Sequence, residues 1–176
     1  MKRTLLDMVQ DILSDGDSDE VNSINDTVEA MQIARIIRTT YEEIISSRQW
    51  PHLSQLTTLT GAADVDTPTH FTMADDVQYM EWIKYNKKTA AENRERYDDI
   101  VYLDPKSFLD MVHQRVSTND NITTVEDGTA GSILIYNDRM PEYWTTFDDR
   151  TIVMDAVDNT EETTLQTSKV QASAYI

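Results

Sequence analysis

The chain has 176 residues, a length that one hydrophobic core commonly organises, and carries 15 Lys and Arg against 32 Asp and Glu for a net charge of −17. So acidic a surface repels a phosphate backbone and an anionic membrane alike, and the lack of cysteine excludes a disulfide framework, thiolate metal ligation and a Cys nucleophile. No apolar run reaches the roughly 18–20 residues of a membrane span, and Met1-Lys2-Arg3-Thr4-Leu5-Leu6-Asp7 lacks the apolar stretch of a signal peptide, so synthesis in a cytoplasm without export is expected.

Leu5, Met8, Val9, Ile12 and Leu13 recur at the i, i+3, i+4, i+7, i+8 spacing of one helix face, which predicts a short amphipathic helix over about 3–14. Too short to be stable alone, it must lay that face on a neighbour, and the next helix is the nearest. After the acidic connector at 14–20, Ser23 can cap a second helix, with Asp26 and Glu29 placed to meet the positive end of its dipole. Ile24, Val28, Met31, Ile33, Ile36, Ile37, Tyr41, Ile44 and Ile45 carry the apolar pattern on to Trp50, predicting about seven turns over 23–50. That stripe is broader than one buried face needs. Contacts both within its own domain and with a neighbouring chain are therefore expected.

Pro51 ends that helix, and residues 53–60, 77–85 and 100–103 read as β. In 77–85, Val77, Tyr79, Ile83 and Tyr85 fall on one side and Met80 and Trp82 on the other, the pattern of a strand that is central or meets a partner on its second face. Asp104-Pro105 is a cap followed by proline at the first helical position, and Phe108, Leu109, Val112 and Val116 give one face of a third helix over 105–116. Ile122–Val125, Ser132–Tyr136, Tyr143–Phe147 and Thr151–Val157 are four short β segments at the spacing of a meander. From Asp158 the chain turns polar and ends on Ala174-Tyr175-Ile176, which reads as an arm that orders on a partner. The whole is an α+β fold: an N-terminal helical hairpin or bundle with one long helix, then an antiparallel β region with a short third helix, forming one domain over 1–157, and an extended C-terminal arm over 158–176.

Sites for chemistry are scarce. Asp15-Gly16-Asp17-Ser18-Asp19 invites a calcium-loop reading, but the loop's sixth position is Glu20 where glycine is needed and its twelfth is Asp26 where a bidentate Glu is needed, so a solvated connector is the stronger reading. His52, His70 and His113 lie in separate elements, lack the i, i+4 partner of a helical zinc site, and read as turn or surface residues. No Gly-x-Ser-x-Gly elbow, phosphate-cradling loop or dinucleotide fingerprint is present, and the adjacent pairs Asp98/Asp99 and Asp148/Asp149 diverge. No catalytic residue, metal or cofactor is expected, and the protein reads as a non-enzyme. Three Trp and eight Tyr, by contrast, suit interfaces that are dry on one side and wet on the other. The candidate partner-binding residues are Arg48, Trp50, Trp82, Tyr175 and Ile176. For Arg48 and Trp50 two readings stand together: finishing the long helix, and docking on another chain.

Met31-Gln32-Ile33-Ala34-Arg35-Ile36-Ile37 and Ile44-Ile45-Ser46-Ser47-Arg48-Gln49-Trp50 resemble the long helix of the head-to-tail adaptor proteins of short-tailed bacteriophages, the tail tubular protein A type, in which a similar Ser-Arg-x-Trp ends the helix and a β region follows. Phe71-Thr72-Met73-Ala74-Asp75-Asp76-Val77-Gln78-Tyr79-Met80 is similar to that family's passage from a polar turn into a strand, so the resemblance spans about 24–103. The C-terminal half departs from the helix-rich ending of the best-known members. The resemblance implies a structural virion protein of the neck or tail, made in the host cytoplasm: a ring, usually a dodecamer, between the portal protein and the tail nozzle. Genome DNA passes through such a ring without specific binding, and no cofactor, chemistry or membrane is involved. It further implies helices 3–50 packing around the ring, a β half facing the tail, and an arm 158–176 docking on the portal or an adjacent subunit. Two other readings of the same residues stay open, a small acidic module that binds a host protein and a DNA mimic that inhibits a host enzyme.

Overall fold

In the computed structural model, which describes residues 3–18 and 20–176, helix α1 (Leu5–Asp15) opens on a capping box. Thr4 Oγ1 accepts from the Asp7 amide at 3.2 Å, and the Asp7 carboxylate accepts from the Thr4 amide at 2.8 Å. Helix α2 (Val28–Ser46) starts later than the expected 23 because Thr27, not Ser23, is its cap, with Thr27 Oγ1 accepting from Ala30 N. Asp26 Oδ2 takes the amides of Asn22 and Ser23, which holds the preceding residues in a turn instead of a helix. The helix also stops short of Trp50. Ser47 Oγ and Trp50 Nε1 both donate to the Ile44 carbonyl, supplying partners that a further turn would otherwise provide. Val9, Leu13, Val21, Ala30 and Ala34 form the small core that α1 and α2 share.

By compactness the chain divides at Pro51 into two units, Met1–Pro51 and His52–Ile176. In chain order the second unit contains β1 (Ser54–Thr57), β2 (Thr60–Gly61), β3 (His70–Thr72), β4 (Tyr79–Asn86), β5 (Tyr97–Tyr102), α3 (Pro105–His113), β6 (Ile122–Asp127), β7 (Gly131–Tyr136), β8 (Tyr143–Thr146), β9 (Thr151–Met154) and β10 (Val170–Tyr175). The protein is thus mixed α+β, built on a large curled sheet in the order β1-β10-β4-β5-β8-β9-β3-β2. β1 and β2 are its two outer strands, yet only Thr58 and Leu59 separate them in the chain, so the sheet must wrap until its margins nearly meet. Leu59 is buried at that joint. Gly61 lies so close to the Leu165 carbonyl that a Cβ there would sit 2.7 Å from its oxygen.

Three expectations change here. The sheet is not wholly antiparallel: β5 and β8 run parallel, with Val101 opposite Tyr143 and Tyr102 opposite Trp144. Parallel neighbours need a crossover, which the intervening chain provides by carrying α3 and the β6–β7 ribbon. The four late segments are consequently no meander, because β6 and β7 leave the main sheet as a separate ribbon and only β8 and β9 remain in it. Nor does the chain end in an extended arm. β10 is an interior strand, paired with β1 on one side and β4 on the other, with Ala172, Ala174 and Tyr175 buried.

Helix α3 begins as the sequence indicates, with Asp104 Oδ1 accepting from Ser107 N and Pro105 in the first turn, but it ends at His113, leaving Val116 exposed. Phe108 and Val112 from its inner face join Phe71, Ile83, Tyr85, Ile133, Ile135, Ile152 and Met154 in the main core. Phe108 meets Phe147 edge-on with ring centroids 6.1 Å apart.

Candidate functional site

Along α2, Ala30, Ala34, Ile37, Tyr41 and Ile44 recur at alternating spacings of four and three, the spacing of a coiled-coil seam. At 1.5 Å per residue, the 11 residues of α1 span about 16 Å and the 19 of α2 about 28 Å, so α1 can cover only part of that seam. Ala30 and Ala34 are buried accordingly, whereas Tyr41 is 59% and Ile44 51% exposed. Val28, Met31 and Ile36, off the seam, are exposed too. This helical unit leaves open more large apolar side chains than it buries, and single scattered apolar residues do not account for that.

The five residues expected to bind partners do not form one cluster. Arg48 and Trp50 meet each other at the end of α2: the guanidinium lies 3.7 Å from the ring centroid, and Trp50 Nε1 donates to Ile44 O at 3.0 Å. Trp82 is half-buried on β4, with the Lys84 ammonium 5.6 Å from its ring. Tyr175 stacks on Tyr79 with centroids 5.2 Å apart and is only 5% exposed, so the sheet takes up the ring that was assigned to a partner. The Ile176 amide donates to Leu53 O.

A hollow of about 420 Å³, within the size range of small-ligand sites, opens where β4 begins and β5 ends. Met73, Gln78, Tyr79, Met80, Glu81, Tyr102, Trp144, Thr146 and Asp149 line it. The Tyr102 and Trp144 rings are 4.8 Å apart at 58°. Glu81 Oε2 accepts from the hydroxyls of Ser54 and Ser173, which holds that carboxylate toward β1 and β10. Asp149 sits at φ 61°, the left-handed region that Asp tolerates better than most residues. Sequence reasoning missed this hollow because parallel pairing across the long crossover is what brings Tyr102 to Trp144. Its two aromatics in separate β segments were the only signal.

Polar groups also lie inside the second unit. His70, expected at a turn or surface, is instead buried on β3 with its Nε2 2.9 Å from Asp127 Oδ2. Burial pushes the Asp127 carboxyl up, but the amides of Ala130 and Thr129 and the His70 ring outweigh it and hold the group below the usual carboxylate range. The pair ties β3 to the ribbon. His52 and His113 are exposed, as expected, and His113 Nε2 lies 3.2 Å from Ser132 O.

A second buried group carries a pH dependence. The Tyr85 hydroxyl donates to Glu162 Oε1, Lys169 Nζ lies 3.7 Å from the same oxygen, and Glu162 Oε2 is buried without a hydrogen-bond partner among the described residues. Burial is the largest influence and raises the Glu162 pKa above the ordinary 4.5; the Tyr85 hydroxyl and the Lys169 ammonium pull it back without cancelling that. The folded chain therefore holds this proton more tightly than the unfolded chain does. The resulting stability is fully present below the ordinary glutamate range and is lost as pH rises through the raised value. Glu162→Gln removes this dependence while keeping an acceptor for Tyr85. Thermal melts from about pH 4 to about pH 8 should show the variant gaining on the native chain as pH rises, and parallel curves would count against it.

Among the described residues, no group of three or more His, Asp or Glu could hold a metal ion, and Asp19 of the acidic connector lies outside them. Asp98 and Asp99 pair with Lys87 and Lys84, and Asp148 accepts from the amides of Arg150 and Thr151. Among the described residues, no helix is long and apolar enough to cross a membrane. Compared with protein-family models and with curated proteins, the chain matches none.

Proposed function

We propose that this protein is a non-enzymatic structural subunit that assembles into a ring, acting as a head-to-tail adaptor between a phage portal protein and the tail nozzle. The observation that carries this reading is the half-open seam on α2, whose Tyr41 and Ile44 continue a packed stripe beyond the reach of α1. Heterologous contacts between copies are the kind that close a ring, and an uncovered helix seam is suited to one. In this reading α1 and α2 form a helical hairpin packed around the ring, the sheet faces the tail, and the ring holds about twelve copies in the neck of the virion. The net charge of −17 suits a lumen through which genome DNA slides without being held. Arg48, Trp50, Trp82 and Ile176 remain candidates for contact with the portal or tail proteins, while the buried Tyr175 ring stacks on Tyr79 within the sheet. The resemblance of residues 24–103 to the adaptor family adds to this reading.

The test is the mass of the full chain by light scattering after size exclusion, alone and with the portal protein of its source. Assembly in a fixed multiple is the expected result. Ile44→Lys, at an exposed position in the last turn of α2, should reduce that assembly to the 20.2 kDa protomer while circular dichroism shows the helices still formed. A chain that stays monomeric beside the portal would instead be a small acidic binding module, and one that competes with DNA for a host enzyme would be a mimic.

A further inference from the structure

We propose that the β4–β5 hairpin is a connector between copies of this chain, its cationic tip seating Arg94 in the aromatic, carboxylate-flanked hollow of the next copy. The inference rests on the ring reading and gives it a second contact, apart from the helix seam.

The tip, residues 87–96, holds Lys87, Lys88, Arg94 and Arg96 against only Glu92 and Glu95, a local excess of positive charge in a strongly acidic chain. Lys87, Lys88 and Arg96 are already engaged, with Asp98 at 3.2 Å, Glu95 at 2.9 Å and Glu92 at 3.9 Å. Arg94 is exposed and has no ion pair or hydrogen bond among the described residues. The hollow lies at the other end of the same hairpin, where Met80 and Glu81 begin β4 and Tyr102 ends β5. Six residue steps separate Met80 from Asn86, about 20 Å at about 3.3 Å each, so a tip cannot fold back into its own hollow.

The chemistry of the hollow matches a guanidinium. Tyr102, half exposed where it packs on the buried Trp144, offers a ring surface for a flat cation, and Glu81 and Asp149 among the lining residues add negative charge. Two hairpins lying in opposite directions would satisfy each other as a closed dimer. Lying in the same direction, each pair leaves one tip and one hollow open, and the contact repeats until a ring closes. The adaptor reading requires the second arrangement.

Two exposed positions test this in the full chain: Arg94→Glu disables the tip, and Gln78→Lys places an ammonium at the hollow. In whichever preparation the native chain assembles, alone or with portal protein, each variant by itself should self-associate about tenfold or more weakly. Mixed in equal amounts, they retain one sound tip and one sound hollow. Light scattering should then give a heterodimer of about twice 20.2 kDa and nothing larger. A native chain that assembles together with an Arg94→Glu chain that assembles equally well overturns the contact and leaves the ring reading standing. Native assembly that stops at a dimer overturns the same-direction arrangement. Loss of portal binding by Gln78→Lys with self-association intact assigns the hollow to the portal instead. A native chain that remains at 20.2 kDa in both preparations removes the ring reading and this contact with it.

Discussion

Replacing Asp155 by Ala is expected to lower the unfolding free energy by about 3–5 kcal/mol, the scale of breaking a buried ion pair from one side. Asp155 and Arg115 are 5% and 6% exposed at the side chain, with Oδ2 and Nη2 2.9 Å apart. Asp155 Oδ1 also accepts the amides of Glu142 and Tyr143, and Arg115 Nη1 donates to the carbonyls of Leu134 and Asp155. The guanidinium lies 4.0 Å from the centroid of the Tyr136 ring, which Arg139 approaches at 3.8 Å. Removing the carboxylate therefore leaves a buried cation without its counter-charge and the Glu142 and Tyr143 amides without their acceptor, where α3, the ribbon and the main sheet meet. Asp155→Asn keeps an acceptor for the amides and should lose less. Urea denaturation of the three chains checks the order, and an Ala variant within about 1 kcal/mol of native would show that the junction relaxes or admits water.

Deleting residues 170–176 should be worse than any single substitution. β10 pairs along both of its sides, and its loss would separate β1 from β4, open the core beside Ala172, and remove Tyr175 from its stack on Tyr79. Small domains hold together by only about 5–15 kcal/mol in all, so the second unit should fail to fold. Hydrogen exchange would show its strands unprotected. A truncated chain that kept native protection in β4 would mean that the terminal strand is dispensable and that the arm expected from the sequence describes it better.

What the sequence revealed and what it hid follow from the range of the interactions involved. The start of α3 was legible because Asp104, Pro105 and Ser107 settle it among themselves. The start of α2 was not: Asn22, Ser23, Asn25, Asp26 and Thr27 can all cap a helix, and the choice fell to Thr27 once Asp26 took the amides upstream. β10 was hidden by small size. Val-Gln-Ala-Ser-Ala-Tyr has little apolar bulk, and its place comes from pairing with β1 and β4, both far away in the chain. His70 was misjudged because its partner Asp127 lies 57 residues on. The excess apolar surface of α2 could be read from its spacing, whereas the hollow at Tyr102 and Trp144 exists only once β5 and β8 lie side by side.

The near-meeting of β1 and β2 has a consequence for a chain held at high local concentration. An open strand edge is a template onto which a second molecule can add its own backbone, and such growth is hard to reverse. Here one edge of the main sheet is the two-residue β2, and only two residues of chain link it to the other edge, β1. β7 is guarded differently: the side chains of His113 and Arg115 and the backbone of residues 155–157 occupy the hydrogen-bonding groups of Ser132, Leu134 and Tyr136. With β2 that short and β7 occupied, a second molecule finds little free backbone to pair with on either of those two strands.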